Sequence, residues 1–232
     1  EILIGLVGSE MCIRDSNNMS SAIIIFGIAL LMLFVASPDY KRFVLMGAAG
    51  VAAVAALVFA IIQMEHSDLG FRGGRILAWL NPEDYASGTG FQTLQALYAI
   101  GSGGIFGKGL GQSMQKLGFL PEAQNDMIFS IICEELGLFG GIAVILLFVL
   151  LIWRFMVIAN NSSDLFGALL VVGVMGHIAI QVILNIAVVT NTIPNTGISL
   201  PFISYGGSSV MFLMVEIGLV LSVAKGIKLK NI

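Results

Sequence analysis

Apolar residues collect into five runs along the chain, at residues 21–36, 43–63, 127–153, 165–190 and 210–224, and polar residues collect between them. A helix needs about 20 residues to cross the hydrocarbon core of a bilayer, with tilt and flanking residues absorbing differences in length. The runs are continuous and lack two-residue alternation, so the pattern predicts membrane-spanning helices and argues against a membrane barrel. The fold class expected is all-α: a polytopic transmembrane helix bundle of five spans with one large loop, at about residues 64–126. Within that loop Phe91, Leu94, Leu97, Tyr98 and Ile100 suit a short helix lying at the membrane surface.

Composition strengthens this picture. Of 232 residues, 57% are hydrophobic and 11% charged, and the mean hydropathy is +0.97, far from a soluble domain. Cys12 and Cys133 stand far apart, which supports neither a disulfide framework nor a zinc site. Nothing points to nucleic acid, and the glycines from Gly101 to Gly111 lack the spacing of a nucleotide-phosphate loop. Residues 1–17 hold an apolar start too short to span, broken by Glu10, Arg14 and Asp15, and read as foreign sequence or a truncation scar.

Charge sets the orientation. Lys41 and Arg42 follow the first run, Arg154 the third, and Lys225, Lys228 and Lys230 the fifth. All fall on one side, which the positive-inside tendency makes cytoplasmic, so the large loop is extracytoplasmic.

Ionisable residues within such runs are costly and face an interior, a cavity or a partner. On the third run Asp126, Ser130 and Glu134 recur every four residues and are expected to share one helix face, with Asp126 at the outer boundary. Glu135 lies about 100° further round. On the fourth run His177, Gln181 and Asn185 repeat the spacing, and the fifth contributes Glu216. For Glu134, Gln181, Asn185 and Glu216 the expected role is structural, joining helices by hydrogen bonds. His177 is a weaker functional candidate still. Asp126 is the candidate for chemistry, because an interfacial carboxylate can take a proton from a hydroxyl nucleophile. Arg75, Lys108 and Lys116 are candidates to hold a phosphate-bearing leaving group, although each alone also reads as an exposed charge on a wet loop.

The stretches NPEDYASGTGFQTLQALYAIGSGGIFGKGLGQSMQKLGFLPEAQNDMIFSIICEELG and IPNTGISLPFISYGGSS closely resemble the shape, elongation, division and sporulation (SEDS) family, which polymerises lipid II into peptidoglycan strands. The resemblance runs from about Asn18 to about Lys225, and the second stretch looks more like the division branch, FtsW, and its sporulation relatives than the elongation branch, RodA. Family members have about ten spans, so residues 18–232 look like the C-terminal half. The family's essential aspartate falls on Asp126; its usual neighbours, threonine and phenylalanine, are Asn125 and Met127 here. Its basic loop positions fall on Arg75 and Lys116 and its loop glutamate on Glu122, expected to orient the acceptor or pair with Lys116. Ser204, Tyr205, Gly206 and Gly207 form the turn before the last span, the first three expected at the substrate.

What the resemblance implies is a glycosyl transfer that releases undecaprenyl diphosphate, with Asp126 as general base and Arg75 and Lys116, with or without a divalent cation such as Mg or Mn, offsetting leaving-group charge. It also implies a multi-pass protein of the bacterial cytoplasmic membrane at the division septum. The implied partners are lipid II, a class B penicillin-binding transpeptidase and other divisome membrane proteins. Two rival readings remain at this stage: a transporter of lipid-linked precursors, which would also want polar stripes within spans, and a non-catalytic divisome scaffold.

Overall fold

The computed structural model describes residues 19–37, 71–88 and 90–227, with isolated positions between 41 and 59. Residues 1–17 lie outside them, as does most of the second expected span. Helix is the regular structure throughout the described residues: α1 (Met19–Ala36), α2 (Phe71–Leu80), α3 (Phe91–Gly103), α4 (Ile128–Asn160), α5 (Leu165–Val189) and α6 (Gly207–Gly226), with a 3-10 turn at Gln115–Leu117. Three of these, α4, α5 and α6, are long and apolar enough to cross a membrane. In α1 the apolar portion, Ile24–Ala36, is shorter.

The helices pack as a bundle in which α5 is central, touching α1, α4 and α6. Its face of Val171, Met175, Ile178 and Val182 is buried, and recurs at three- and four-residue spacing, as a helix stripe must. Small residues let neighbours close in: Leu31 of α1 packs where Gly176 of α5 has no side chain. Asp164 caps α5, accepting from the Gly167 N–H at 2.9 Å.

One departure from the sequence pattern organises the site. The third run is not one straight helix. Gly137 sits at φ 67°, ψ −164°, and breaks α4. Unbroken, the helix would join the N–H of Leu138 and Phe139 to the carbonyls of Glu134 and Glu135. Instead Leu138 and Phe139 donate to Gly104 and Ile105 (2.9 and 3.4 Å), while the carbonyls of Glu134 and Glu135 accept from Lys108 and Gly109 (3.0 and 2.9 Å). The loop after α3 has entered the helix ladder and satisfied these four groups, as non-helical backbone near a membrane requires. Such an approach tolerates no side chain. A Cβ on Gly107 would collide with the Glu135 carbonyl, and one on Gly137 with the backbone of Gly107 and Ile105.

Helix α3 covers the residues expected to be helical; Thr93, Ala96 and Ala99 are buried, and it packs against α4, while Tyr98 stays exposed.

Candidate functional site

Asp126 is not on α4. It lies in the turn just before the helix, which begins at Ile128, so the expected stripe of Asp126, Ser130 and Glu134 is not a single helix face. What holds Asp126 is its backbone. The carbonyls of three consecutive residues are each tied to a different part of the chain. That of Gln124 accepts from the Tyr205 N–H at 2.8 Å, that of Asn125 from the Ser204 hydroxyl at 2.6 Å, and that of Asp126 from the Asn185 amide at 2.7 Å. Asn185 is fully buried and also donates to the Ile198 carbonyl at 2.7 Å. The Ser204 hydroxyl accepts from the Leu200 N–H at 2.7 Å. The turn after Pro201 and one asparagine of α5 thus form a frame for the segment that carries the carboxylate.

The side chain of Asp126 is 9% exposed. Gln92 of α3 donates to both carboxylate oxygens, at 3.4 and 3.5 Å, and to the Pro121 carbonyl at 3.3 Å. The Gln92 carbonyl oxygen accepts from Asn195 at 2.8 Å, and the Asn195 backbone carbonyl accepts from the Arg75 guanidinium at 3.4 Å. A polar chain therefore runs from Arg75 through Asn195 and Gln92 to Asp126. It crosses the wall of a cavity of about 260 Å³ lined by Arg75, Trp79, Phe91, Gln92, Pro121 and Asn195 among others. Asp126 stands one hydrogen bond behind that lining. Gly197 leaves room at its other side, where even a Cβ would stay 4.0 Å from Oδ2. Trp79 is fixed across the cavity by donating to the Asn191 carbonyl at 3.0 Å.

Burial pushes the Asp126 carboxyl above the ordinary carboxylate range, and the nearby Glu122 charge adds to this. A hydrogen bond from the backbone N–H of Asp126 opposes the rise most, followed by the hydrogen bond from Gln92 and the charge of Arg75. The result is an acid held ionisable by neutral donors and by a cation acting at a distance.

The other site residues expected from sequence fall elsewhere. Lys116 does not meet Glu122; its ammonium lies 2.5 Å from Glu135. Glu122, exposed and at φ 53°, accepts instead from the Asn125 side chain. Ser204 is buried with its hydroxyl spent on two backbone groups, while Tyr205 is 78% exposed and Gly206 leads into α6. Glu134 is fully buried, 2.7 Å from the Lys108 ammonium and 2.5 Å from the Ser113 hydroxyl. Gln181 is half-buried on α5. His177 and Glu216 join α5 to α6, Nδ1 lying 2.8 Å from Oε1. Among the described residues, no three His, Cys, Asp or Glu side chains gather as a metal-binding set.

Gln92, Asn195 and Trp79 were not singled out from sequence. The Pro-Asn-Thr-Gly turn at Asn195 is a visible loop signal, but its bond to Gln92 spans 103 residues, a pairing that no local pattern encodes.

Comparison with known proteins places this arrangement. The profile of the cell cycle protein family of FtsW, RodA and SpoVE matches residues 3–229, reaching into the N-terminal segment set apart above. Stage V sporulation protein E of Bacillus subtilis is 43% identical over 223 residues, covering 96% of this chain and 59% of that protein. "Probable peptidoglycan glycosyltransferase FtsW" of Trichlorobacter lovleyi is 41% identical over 212 residues, covering 91% and 54%. Division and sporulation members thus match at similar identity. The chain spans somewhat more than half the length of these relatives. Among solved structures, a chain from a peptidoglycan synthase complex that coordinates polymerisation and crosslinking superposes with a TM-score of 0.72 at 23% identity, over 94% of this chain and 59% of that one, a likeness of fold. The chain belongs to the FtsW/RodA/SpoVE family of membrane-embedded cell cycle proteins.

Proposed function

We propose that this chain carries the catalytic half of a peptidoglycan glycosyltransferase that extends glycan strands from lipid II. The observation that carries the reading is the chain Arg75–Asn195–Gln92–Asp126 along one cavity, which sets a buried carboxylate and a guanidinium at the two ends of a single polar line. In the reaction the 4-hydroxyl of the acceptor sugar attacks the anomeric carbon of the donor. The new C–O bond forms as the bond to the diphosphate breaks, and the hydroxyl proton passes to Asp126. Burial raises the proton affinity of Asp126 and so makes it the better base. Arg75 faces the charge that develops on the leaving diphosphate, where a guanidinium can bind two oxygens at once. A diphosphate leaves readily, so one base is enough.

A divalent cation would find no set of three His, Cys, Asp or Glu ligands among the described residues and would have to complete its shell from substrate diphosphate oxygens, the usual mode for magnesium. Lys116 we assign to the loop it clamps, not to the diphosphate. The names of the FtsW relatives and the synthase complex support the assignment to wall synthesis. Crosslinking in that synthase complex is the support for a membrane-bound transpeptidase as partner; its class B type and the septum of the bacterial inner membrane as location are part of the proposal.

The test uses the full-length protein with purified lipid II. Glycan polymer and undecaprenyl diphosphate should appear together in fixed proportion. Movement of lipid II across sealed vesicles with no polymer formed would favour a transporter and overturn the reading.

A further inference from the structure

The segment between Gly104 and Phe119 is built inside out. Its large apolar side chains point away from the protein: Ile105, Phe106, Leu110, Met114, Leu117 and Phe119 are 55–81% exposed. Its charges point inward. The Lys108 ammonium reaches the fully buried Glu134 at 2.7 Å, and that of Lys116 reaches Glu135 at 2.5 Å. In water the opposite is expected, with lysine heads solvated and apolar side chains packed.

The backbone follows the same rule. The N–H groups of Gly111 and Ser113 donate to the Glu135 carboxylate, those of Met114 and Gln115 to Glu134, and that of Lys116 to the Ser113 hydroxyl. Lys108 and Gly109 donate to the broken ladder of α4. Internal satisfaction of backbone donors is what a surface without water demands. The patch is also continuous with the span: the Phe106 ring lies 5.6 Å from that of Phe139, and Phe139, with exposed Leu138 and Ile142, opens the uninterrupted part of α4. From Leu138 to Asn160 that part is roughly 23 residues, about 34 Å, enough to cross the hydrocarbon core alone.

We propose that this segment is a second membrane contact, a hairpin seated on the acyl chains of the leaflet on the Asp126 side. Its outward side chains enter the headgroup–acyl boundary to the depth typical of interfacial elements, while its two lysines, turned inward, tie it to α4. The bilayer surface then helps hold the turn that enters the α4 break. The proposal is independent of the chemistry assigned to Asp126.

It can be tested in the full-length protein in liposomes, with Cys12→Ser, other accessible cysteines replaced and a nitroxide attached at Leu110→Cys, Leu117→Cys or, as a reference, Glu83→Cys on the exposed turn after α2. Collision of the label with lipid-soluble oxygen, relative to a water-soluble nickel complex, should be several-fold higher at Leu110 and Leu117 than at Glu83. Ready access to nickel at the hairpin would place it in water and overturn the proposal. Protection from both reagents would mean that protein covers it, from the remaining half or a partner, and would overturn it equally. Leu110 and Leu117 are exposed, and monodisperse elution with an unchanged Tm of each labelled variant checks that it is folded.

Discussion

Asp126 and the Glu134–Glu135 pair lie within nine residues of one another, and the protein treats their charges in opposite ways. Each of the two glutamates has its own lysine ammonium and several further donors. Asp126 has its own backbone N–H and the amide of one glutamine, with Arg75 acting from farther off. A buried acid paired at short range is spent on structure, because its charge is already neutralised. A buried acid left with neutral donors remains available to take a proton, and such groups cluster at functional sites. The same contrast separates the backbones. The loop of the glutamates is tied through both backbone and side-chain charge, whereas the Asp126 segment is tied through three carbonyls and leaves its carboxylate out of the frame.

The largest effect should come from the place where the loop after α3 enters the backbone ladder of α4 beside the two glutamates. Gly107→Val or Gly137→Val forces a side chain into the broken ladder, and a loss on the order of 4 kcal/mol is expected, read as loss of monodisperse protein and a lower Tm. If either variant folds normally, the ladder exchange is not what closes the loop onto α4.

Next comes Asn185→Leu, which leaves the Asp126 and Ile198 carbonyls without a donor. A small displacement of the base should lower kcat roughly 100-fold with little change in KM, while unsatisfied carbonyls cost about 1–3 kcal/mol each. Unchanged kcat in a folded variant would remove Asn185 from the frame.

A smaller and signed effect concerns pH. Asp126 must be ionised to act, so the rate falls as pH drops through its raised pKa. Glu122→Gln removes a charge that raises this pKa and should move the acid limb of the profile to lower pH; Gln92→Leu removes a bond that lowers it and should move the limb up. Limbs that stay in place in both variants would detach the profile from Asp126.

The smallest effect is at Lys116→Met. The pair with Glu135 is one-third exposed on the lysine side, and Glu135 keeps the Gly111 and Ser113 N–H donors, so the fall in Tm should be smaller than for the Gly107 variant. The KM for lipid II should hold. A large rise would mean that Lys116 leaves Glu135 for the substrate.

How much of this the sequence could reveal depended on range. The spans at 127–153, 165–190 and 210–224 were legible, because an apolar run long enough for a bilayer leaves few alternatives. Asp126 was legible as an acid at the start of the third run, and it stands just before α4. The break at Gly137 was not, since a glycine inside an apolar helix costs only about 1 kcal/mol and is common; its meaning lies in Gly107, thirty residues earlier. Four-residue spacing likewise suggested a stripe through Asp126 that a helix beginning at Ile128 does not provide. Ser204 was expected at the substrate from the family resemblance, and in the structure its hydroxyl bonds two backbone groups. Which polar groups use up their hydrogen bonds on the chain itself is decided by tertiary pairing, and no local pattern carries that.

The most direct measurement sets the two acids against each other. Full-length Asp126→Asn and Glu134→Gln, matched for folded fraction, would be assayed for polymerisation of lipid II. Loss of a general base costs about 10²–10⁴-fold, so Asp126→Asn should fall at least a hundredfold while Glu134→Gln, where it folds, stays within a few-fold of wild type. Polymer made at near-normal rate by Asp126→Asn would contradict the account.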